Sequence, residues 1–330
     1  MNPAFMHHGG ELAAAVRTYG GARAEWLDLS TGINPLPWPV RTDLPINWSD
    51  LPDHADLLAL EREAAAHFGA DPALCGAVPG SEAALRLIAL VLGLPGRHFP
   101  LTYRSHVEAF DEVCLHQAGA VGAATVLVVA NPNNPDGTLH HADQIAALLA
   151  AQEAKGGWLL VDEAFVDCHP GASVVTMVRP ERRLIVLRSF GKFFGLAGVR
   201  LGFVLAPPDL LAALHRRLGA WPVNAAALAI GQAAYADRAW VTATIDNLWA
   251  RAVALDDVLF RHGLTVQGAC PLFRLAHVSA AGALFEGLAH RRILTRPFEH
   301  NGTLLRLGLP RDLAALARLD AALTQVVQHG

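Results

Sequence analysis

The stretch RLIVLRSFGKFFGLAGVRLGF, residues 183–203, decides how this chain folds. Its opening run, RLIVLRSF, is short, apolar and rich in branched side chains, the composition of a strand buried on both faces of a parallel sheet. After the run, one lysine, Lys192, stands among glycines and phenylalanines. A strand ending there places Lys192 just past its carboxyl end, where open α/β sheets bind their ligands.

Outward from this stretch the same pattern repeats. TVLVVA (125–130) and GWLLVDEAF (157–165) read as buried strands, with the helical pattern HADQIAALLAAQEA between them. Upstream, ADLLALEREAAAHF (55–68) and SEAALRLIALVLG (81–93) read as amphipathic helices, the first ending at Gly69 and the second opening on Ser81 as its cap. The order strand, helix, strand, connection, strand predicts right-handed crossovers and a mainly parallel sheet. After about residue 207 come alanine- and leucine-rich helices, LTVQGACPLFRLAH, another helix, TLLRLGLP and a helix beyond Pro310, which predict a smaller α+β domain.

A chain of 330 residues, 52% hydrophobic and 17% charged, has enough apolar material for two packed domains and too much for disorder. A net charge of -4 and a pI near 6.5 give no basic footprint for nucleic acid. The pairs Arg216-Arg217 and Arg291-Arg292 read as solvated helix faces. The amino-terminal residues lack a charged region followed by an apolar one, and no run reaches membrane-spanning length, so the expectation is a soluble, cytoplasmic protein with no membrane partner. Cys75, Cys114, Cys168 and Cys270 form no CxxC pair and read as reduced, mostly packed thiols. His7-His8 and His140-His141 point apart on an extended chain, so no metal site is expected.

The loops carry the chemistry. GSEAA (80–84) offers backbone N–H groups and a hydroxyl at a helix amino terminus, either an anion site or an ordinary cap. NPNNPDG (131–137) has two Asn-Pro steps that force extended backbone and hold asparagines at a strand end, or is simply a turn. Ser189, Lys192 and Arg200 supply a hydroxyl and two cations fit for a phosphate and an electrophilic carbonyl. Asp162 ends a buried strand, where a carboxylate needs a cation or donor. A ligand with a phosphate, a ring nitrogen to keep protonated, a phenolic oxygen and an aldehyde uses all of these, and that ligand is pyridoxal 5'-phosphate.

NPNNPDG, then VDEAF, then SFGKFFGLAGVRLGF, in order and at matching spacing, resembles the fold-type I aminotransferase superfamily over about residues 28 to 309. The resemblance implies that fold: a large α/β domain with a mainly parallel sheet, expected at 41–215, a smaller domain at 216–330, and an N-terminal arm, 1–40, packing with the smaller one. It implies Lys192 as the Schiff-base lysine, Asp162 on the ring nitrogen and Asn134 on the phenolic oxygen. Ser189, Arg200 and the Gly80-Ser81-Glu82 turn would hold the phosphate.

Within the superfamily, HGG (8–10), LDLSTGINPLP (27–37) and DEAFVD (162–167) resemble the threonine-phosphate decarboxylase branch of cobalamin synthesis, next to the histidinol-phosphate aminotransferases. That branch converts L-threonine O-3-phosphate to (R)-1-amino-2-propanol O-2-phosphate. The resemblance implies a homodimer and a phosphorylated amino-acid substrate, with Arg306 on its carboxylate, Arg296 on its phosphate, and His8 and Asn34 contributing. An aminotransferase acting on histidinol phosphate or a similar amino acid is the alternative, and a non-catalytic cofactor-binding partner in the corrinoid pathway is a lesser one.

The sequence departs from the superfamily in places. LTYRSH (101–106) matches an element whose aromatic stacks on the cofactor ring, and the reading assigns that role to His106, with a plain surface helix residue as the bland alternative. Phe165 replaces a tyrosine and removes one hydrogen bond, worth roughly 1 kcal/mol. Leu51 replaces a tyrosine that reaches the neighbouring subunit's phosphate in relatives.

Overall fold

The structure is a computed structural model that describes residues 4–116 and 122–327. Its strands are β1 (Leu27–Asp28), β2 (Cys75–Val78), β3 (Gly96–His98), β4 (Val113–Leu115), β5 (Val126–Ala130), β6 (Trp158–Asp162), β7 (Leu184–Ser189), β8 (Gly202–Leu205), β9 (Thr265–Gln267), β10 (Phe273–His277), β11 (Ile293–Leu294), β12 (Arg296–Phe298) and β13 (Asn301–Gly308).

Strands β2 to β8 form a seven-stranded sheet in the order β2-β8-β7-β6-β5-β3-β4. The run from β4 through β7 is parallel, and β8 lies antiparallel between β7 and β2. Apolar periodicity reveals a buried strand but not its direction, so the antiparallel β8 goes beyond the sequence pattern. The helix Ser81–Leu92 covers one face, where Leu85 and Ile88 pack with Val128, Leu160, Leu187 and Val204. On the other face Phe68, Phe203 and Tyr235 meet with ring centroids 5.3 to 5.6 Å apart.

Local chemistry sets the helix ends. Asp53 caps His54–Phe68 by accepting from Ala55 N–H, and Gly69 closes it in the left-handed region. Ser81 is not a cap. The cap of Ser81–Leu92 is Gly80, whose φ of 95° and ψ of 148° suit glycine alone.

The chain divides into two compact units, Pro37–Asn134 with Thr138–Thr242, and Met1–Leu36 with Pro135–Gly137 and Ala243–Gly330. A junction at 215/216, as the resemblance implies, would cut the helix Pro208–Leu218, whose Leu210, Leu211 and Leu214 are buried in the core of the seven-stranded sheet. Packing therefore assigns that helix to the larger unit. In the smaller unit β12-β13-β10-β9 form an antiparallel sheet, and β1 pairs in parallel with β11. Phe5 packs on Phe285 of the helix Ala281–Ala289, with ring centroids 5.3 Å apart. Among the described residues no helix is long and apolar enough to cross a membrane.

Candidate active site

In the larger unit the carboxyl ends of β5, β6 and β7 carry the expected residues. Lys192 lies on the short helix Phe190–Phe193 directly after β7, anchored by the fully buried rings of Phe190 and Phe193. Its Nζ stands 5.9 Å from the centre of the Phe165 ring. Gly191 allows the close approach that fixes this turn, because a Cβ there would lie 2.6 Å from Ala197 Cα. A half-buried amine is thus held on a rigid, apolar base.

An anion cradle forms beside it. A Cβ on Gly80 would lie 2.7 Å from Arg200 Nη2, and one on Gly202 would lie 2.6 Å from Ser81 N. Gly202 is the cross-strand partner of Ser189. The amino-terminal N–H groups of Ser81–Leu92, the Arg200 guanidinium and Ser189 are thereby gathered at one backbone crossing that only glycines permit. Backbone donors, a helix dipole and a cation together suit an anion such as a phosphate. The Glu82 side chain is bound to Arg86, with Oε1 3.1 Å from Nε, so what Glu82 offers the cradle is its backbone N–H.

Asp162, at the end of β6, accepts from Ala164 N–H through Oδ1 (3.1 Å) and meets His106 Nε2 through Oδ2 (3.0 Å). His106 Nδ1 lies 2.9 Å from Thr102 Oγ1. His106 has no exposed surface, so it has no ring face to offer a cofactor and is no surface residue either. Both of its nitrogens are committed, and it backs the carboxylate instead of stacking. The half-buried aromatic beside it is Tyr103, set edge-on to His106 at 5.5 Å. Tyr103 is a second aromatic of LTYRSH at this corner that the motif alone does not single out.

The asparagine loop is braced from within. Asn131 accepts from His140 N–H at 2.9 Å and donates to His140 O at 3.2 Å, and Asn133 donates to Leu101 O at 3.0 Å. Asn134 follows half-buried at the end of the larger unit's segment.

The remaining candidates lie in the smaller unit. Arg296 and Arg306 are direct cross-strand partners on β12 and β13, and both are buried. Arg306 Nη2 donates to Ser30 O at 2.9 Å, with its guanidinium 5.0 Å from the Phe273 ring centre. Arg296 Nη2 donates to His7 O at 2.5 Å and to Met6 O at 3.2 Å. The HGG element is seated on Ser30, since Gly10 N–H donates to Ser30 Oγ at 2.7 Å and a Cβ on Gly9 would lie 2.2 Å from Ser30 O. His8 is exposed, while Asn34 is buried and accepts from Leu36 N–H at 2.9 Å. Two buried guanidiniums on one sheet face suit a ligand with two anionic groups.

The family model "Aminotransferase class I and II" matches residues 96–317. The chain belongs to this family. It is 42% identical over 330 residues to a threonine-phosphate decarboxylase of Pseudomonas aeruginosa, covering 96% of this chain and 97% of the relative. It is 37% identical to a threonine-phosphate decarboxylase of Sinorhizobium sp, covering 97% and 98%. The solved histidinol-phosphate aminotransferase of Clostridium acetobutylicum matches with a TM-score of 0.79 at 18% identity, covering 92% of this chain and all of that one, and so shares the fold.

As a class I and II aminotransferase family member, the chain has pyridoxal 5'-phosphate as its cofactor. The geometry fits it on its own terms. The glycine cradle with Arg200 suits the phosphate, Asp162 offers a carboxylate for a protonated ring nitrogen, and Lys192 offers an amine.

Proposed function

We propose that the chain decarboxylates L-threonine O-3-phosphate to (R)-1-amino-2-propanol O-2-phosphate, a step of cobalamin biosynthesis. The observation that carries this reading is the buried cross-strand pair Arg296 and Arg306 in a chain that has decarboxylase relatives along its whole length. The substrate has one carboxylate and one phosphate, and the pair offers one guanidinium to each.

Lys192 would hold the cofactor through its aldehyde carbon, Asn134 would bind the phenolic oxygen, and Gly80, Ser81, Glu82, Ser189 and Arg200 would hold the phosphate. Tyr103 would cover the ring, and Asp162, backed by His106, would keep the ring nitrogen protonated. The bound cofactor supplies a cationic ring that accepts the electron pair of a bond broken at the substrate's Cα.

The chain's own residues decide which bond breaks. Arg306 binds the carboxylate in two parallel hydrogen bonds and Arg296 fixes the phosphate, with His8 and Asn34 assisting, so the substrate is held at both ends. An orientation set by Arg306 and Arg296 that weakens the bond from Cα to the carboxylate would release carbon dioxide. Lys192 then delivers a proton to Cα as general acid. An orientation that weakens Cα–H instead would pass that proton to Lys192 as general base and lead to amino transfer.

That second outcome is the alternative function, an aminotransferase acting on histidinol phosphate or a similar amino acid. It draws on the same Arg296 and Lys192. A homodimer is proposed as well, supported by Trp48, Leu51 and Trp221, which expose 76%, 66% and 56% of their surface on the larger unit. The proposed location is the cytoplasm.

Mass analysis of the products formed from L-threonine O-3-phosphate tests the reading. Aminopropanol phosphate is the expected product, and a 2-oxo acid phosphate would refute it.

A further inference from the structure

Behind the site lies a buried ionic cluster that none of these roles uses. Glu163 directly follows Asp162, and Arg188 directly precedes Ser189. Side chains alternate along a strand, so these neighbours point to the sheet face opposite their site partners. There Arg188 Nη1 meets Glu163 Oε2 at 3.3 Å and Nη2 meets Asp167 Oδ1 at 2.6 Å, with the guanidinium 4.2 Å from the centre of the Phe68 ring. His67 Nε2 meets Asp167 Oδ1 at 3.2 Å. Glu163 also accepts from Val174 N–H and from Ser173 Oγ. Arg188, Glu163 and Asp167 are all buried.

Stability alone does not explain such a cluster, since a buried ion pair often holds a core no better than apolar side chains of the same volume. Its position does. The backbone register between β6 and β7 ends at Asp162 opposite Leu187, with Glu163 N–H donating to Leu187 O as the last rung. Past that rung, the bond between Glu163 and Arg188 continues across the two strand ends. Burial pushes the Glu163 carboxyl up while Arg188 pulls it down, with the net above its ordinary value, and Arg188 with His67 holds Asp167 below its own despite burial. The guanidinium is therefore fixed by a carboxylate on each side and by a ring.

We infer that Glu163 and Arg188 are positioning residues whose ion pair sets the spacing between Asp162 and Ser189. This rests on the functional reading above, in which Asp162 serves the ring nitrogen and Ser189 the phosphate, the two ends of one rigid cofactor. A planar, bidentate-capable guanidinium holds that spacing where a lysine would not.

Two variants of the whole chain test it, Glu163→Gln and Arg188→Lys. Glu163→Gln keeps an acceptor for Val174 N–H and nearly the same volume, and Arg188→Lys keeps a buried cation. Each is expected to weaken pyridoxal phosphate binding about tenfold, the equivalent of one charge-assisted hydrogen bond. Each is also expected to alter the visible circular dichroism of the bound cofactor and to lower kcat more than it raises KM. The melting temperature of cofactor-free Glu163→Gln should fall, because one partner of a buried pair is lost, so cofactor affinity and dichroism carry the test. Variants with the parent's cofactor affinity and dichroism, changed only in melting temperature, would show a purely structural cluster and overturn the inference. A parent protein that binds no pyridoxal phosphate would instead overturn the functional reading and the inference with it.

Discussion

Arg296 and Arg306 face each other across the β12–β13 ladder as direct partners, both buried, their guanidiniums braced by the carbonyls of Met6, His7 and Ser30. Like charges opposite one another destabilise a sheet, so this arrangement favours a ligand that brings negative charge. Arg306→Gln should raise KM for every amino-acid substrate, by about 10- to 100-fold for a lost charged contact. Arg296→Gln should do so only for phosphorylated ones. Steady-state kinetics on L-threonine and its phosphate check the difference, and equal losses for both substrates would remove the division of labour.

Gly80 is required twice over, by its φ of 95° and by the Arg200 guanidinium 2.7 Å from where a Cβ would go. Gly80→Ala should weaken cofactor binding by about tenfold, from ~1–2 kcal/mol of left-handed strain passed on to the cradle. Titration of pyridoxal phosphate followed by absorbance measures it.

His106 gives a test that separates backing from stacking. His106→Phe keeps an aromatic ring but removes the bond to Asp162 Oδ2. The geometry predicts a loss in kcat of roughly 10- to 100-fold, that of a hydrogen bond to a charged group. Thr102→Val, which frees Nδ1, should cost only about fivefold. A His106→Phe protein of full activity would return His106 to a stacking role.

In the smaller unit, hydrogen bonds from His262 and Arg261 hold the Asp320 carboxyl below its ordinary value of 3.8. A depressed carboxylate contributes stability that is present above the ordinary value and is lost as pH falls through the folded one. Melting of the wild type should therefore drop more steeply below about pH 4 than melting of Asp320→Asn. Parallel acid limbs would contradict this.

The core of the fold was legible because β5, β6 and β7 are apolar runs between helices with clear ends, and the order of three motifs located Lys192, Asp162 and Asn134. Other features were not. β3 and β4 are three residues each, and Arg97 with His98 breaks the apolar signal. Gly80 outcompeted Ser81 as cap because a dihedral, not a side chain, decides that turn. The bond from His106 to Asp162 was not legible either, because composition marks an aromatic ring but not which of its edges is bonded. The pairings of Arg296 with Arg306 and of Glu163 with Arg188 arise only when strands align, so no local pattern announces them.

The most direct measurement is the ratio of carbon dioxide released to amino groups transferred, with carboxyl-labelled L-threonine O-3-phosphate, 2-oxoglutarate and the cofactor-loaded protein in one vessel. The account predicts stoichiometric label in carbon dioxide and no glutamate. Glutamate formed with the label retained in a 2-oxo acid would contradict it.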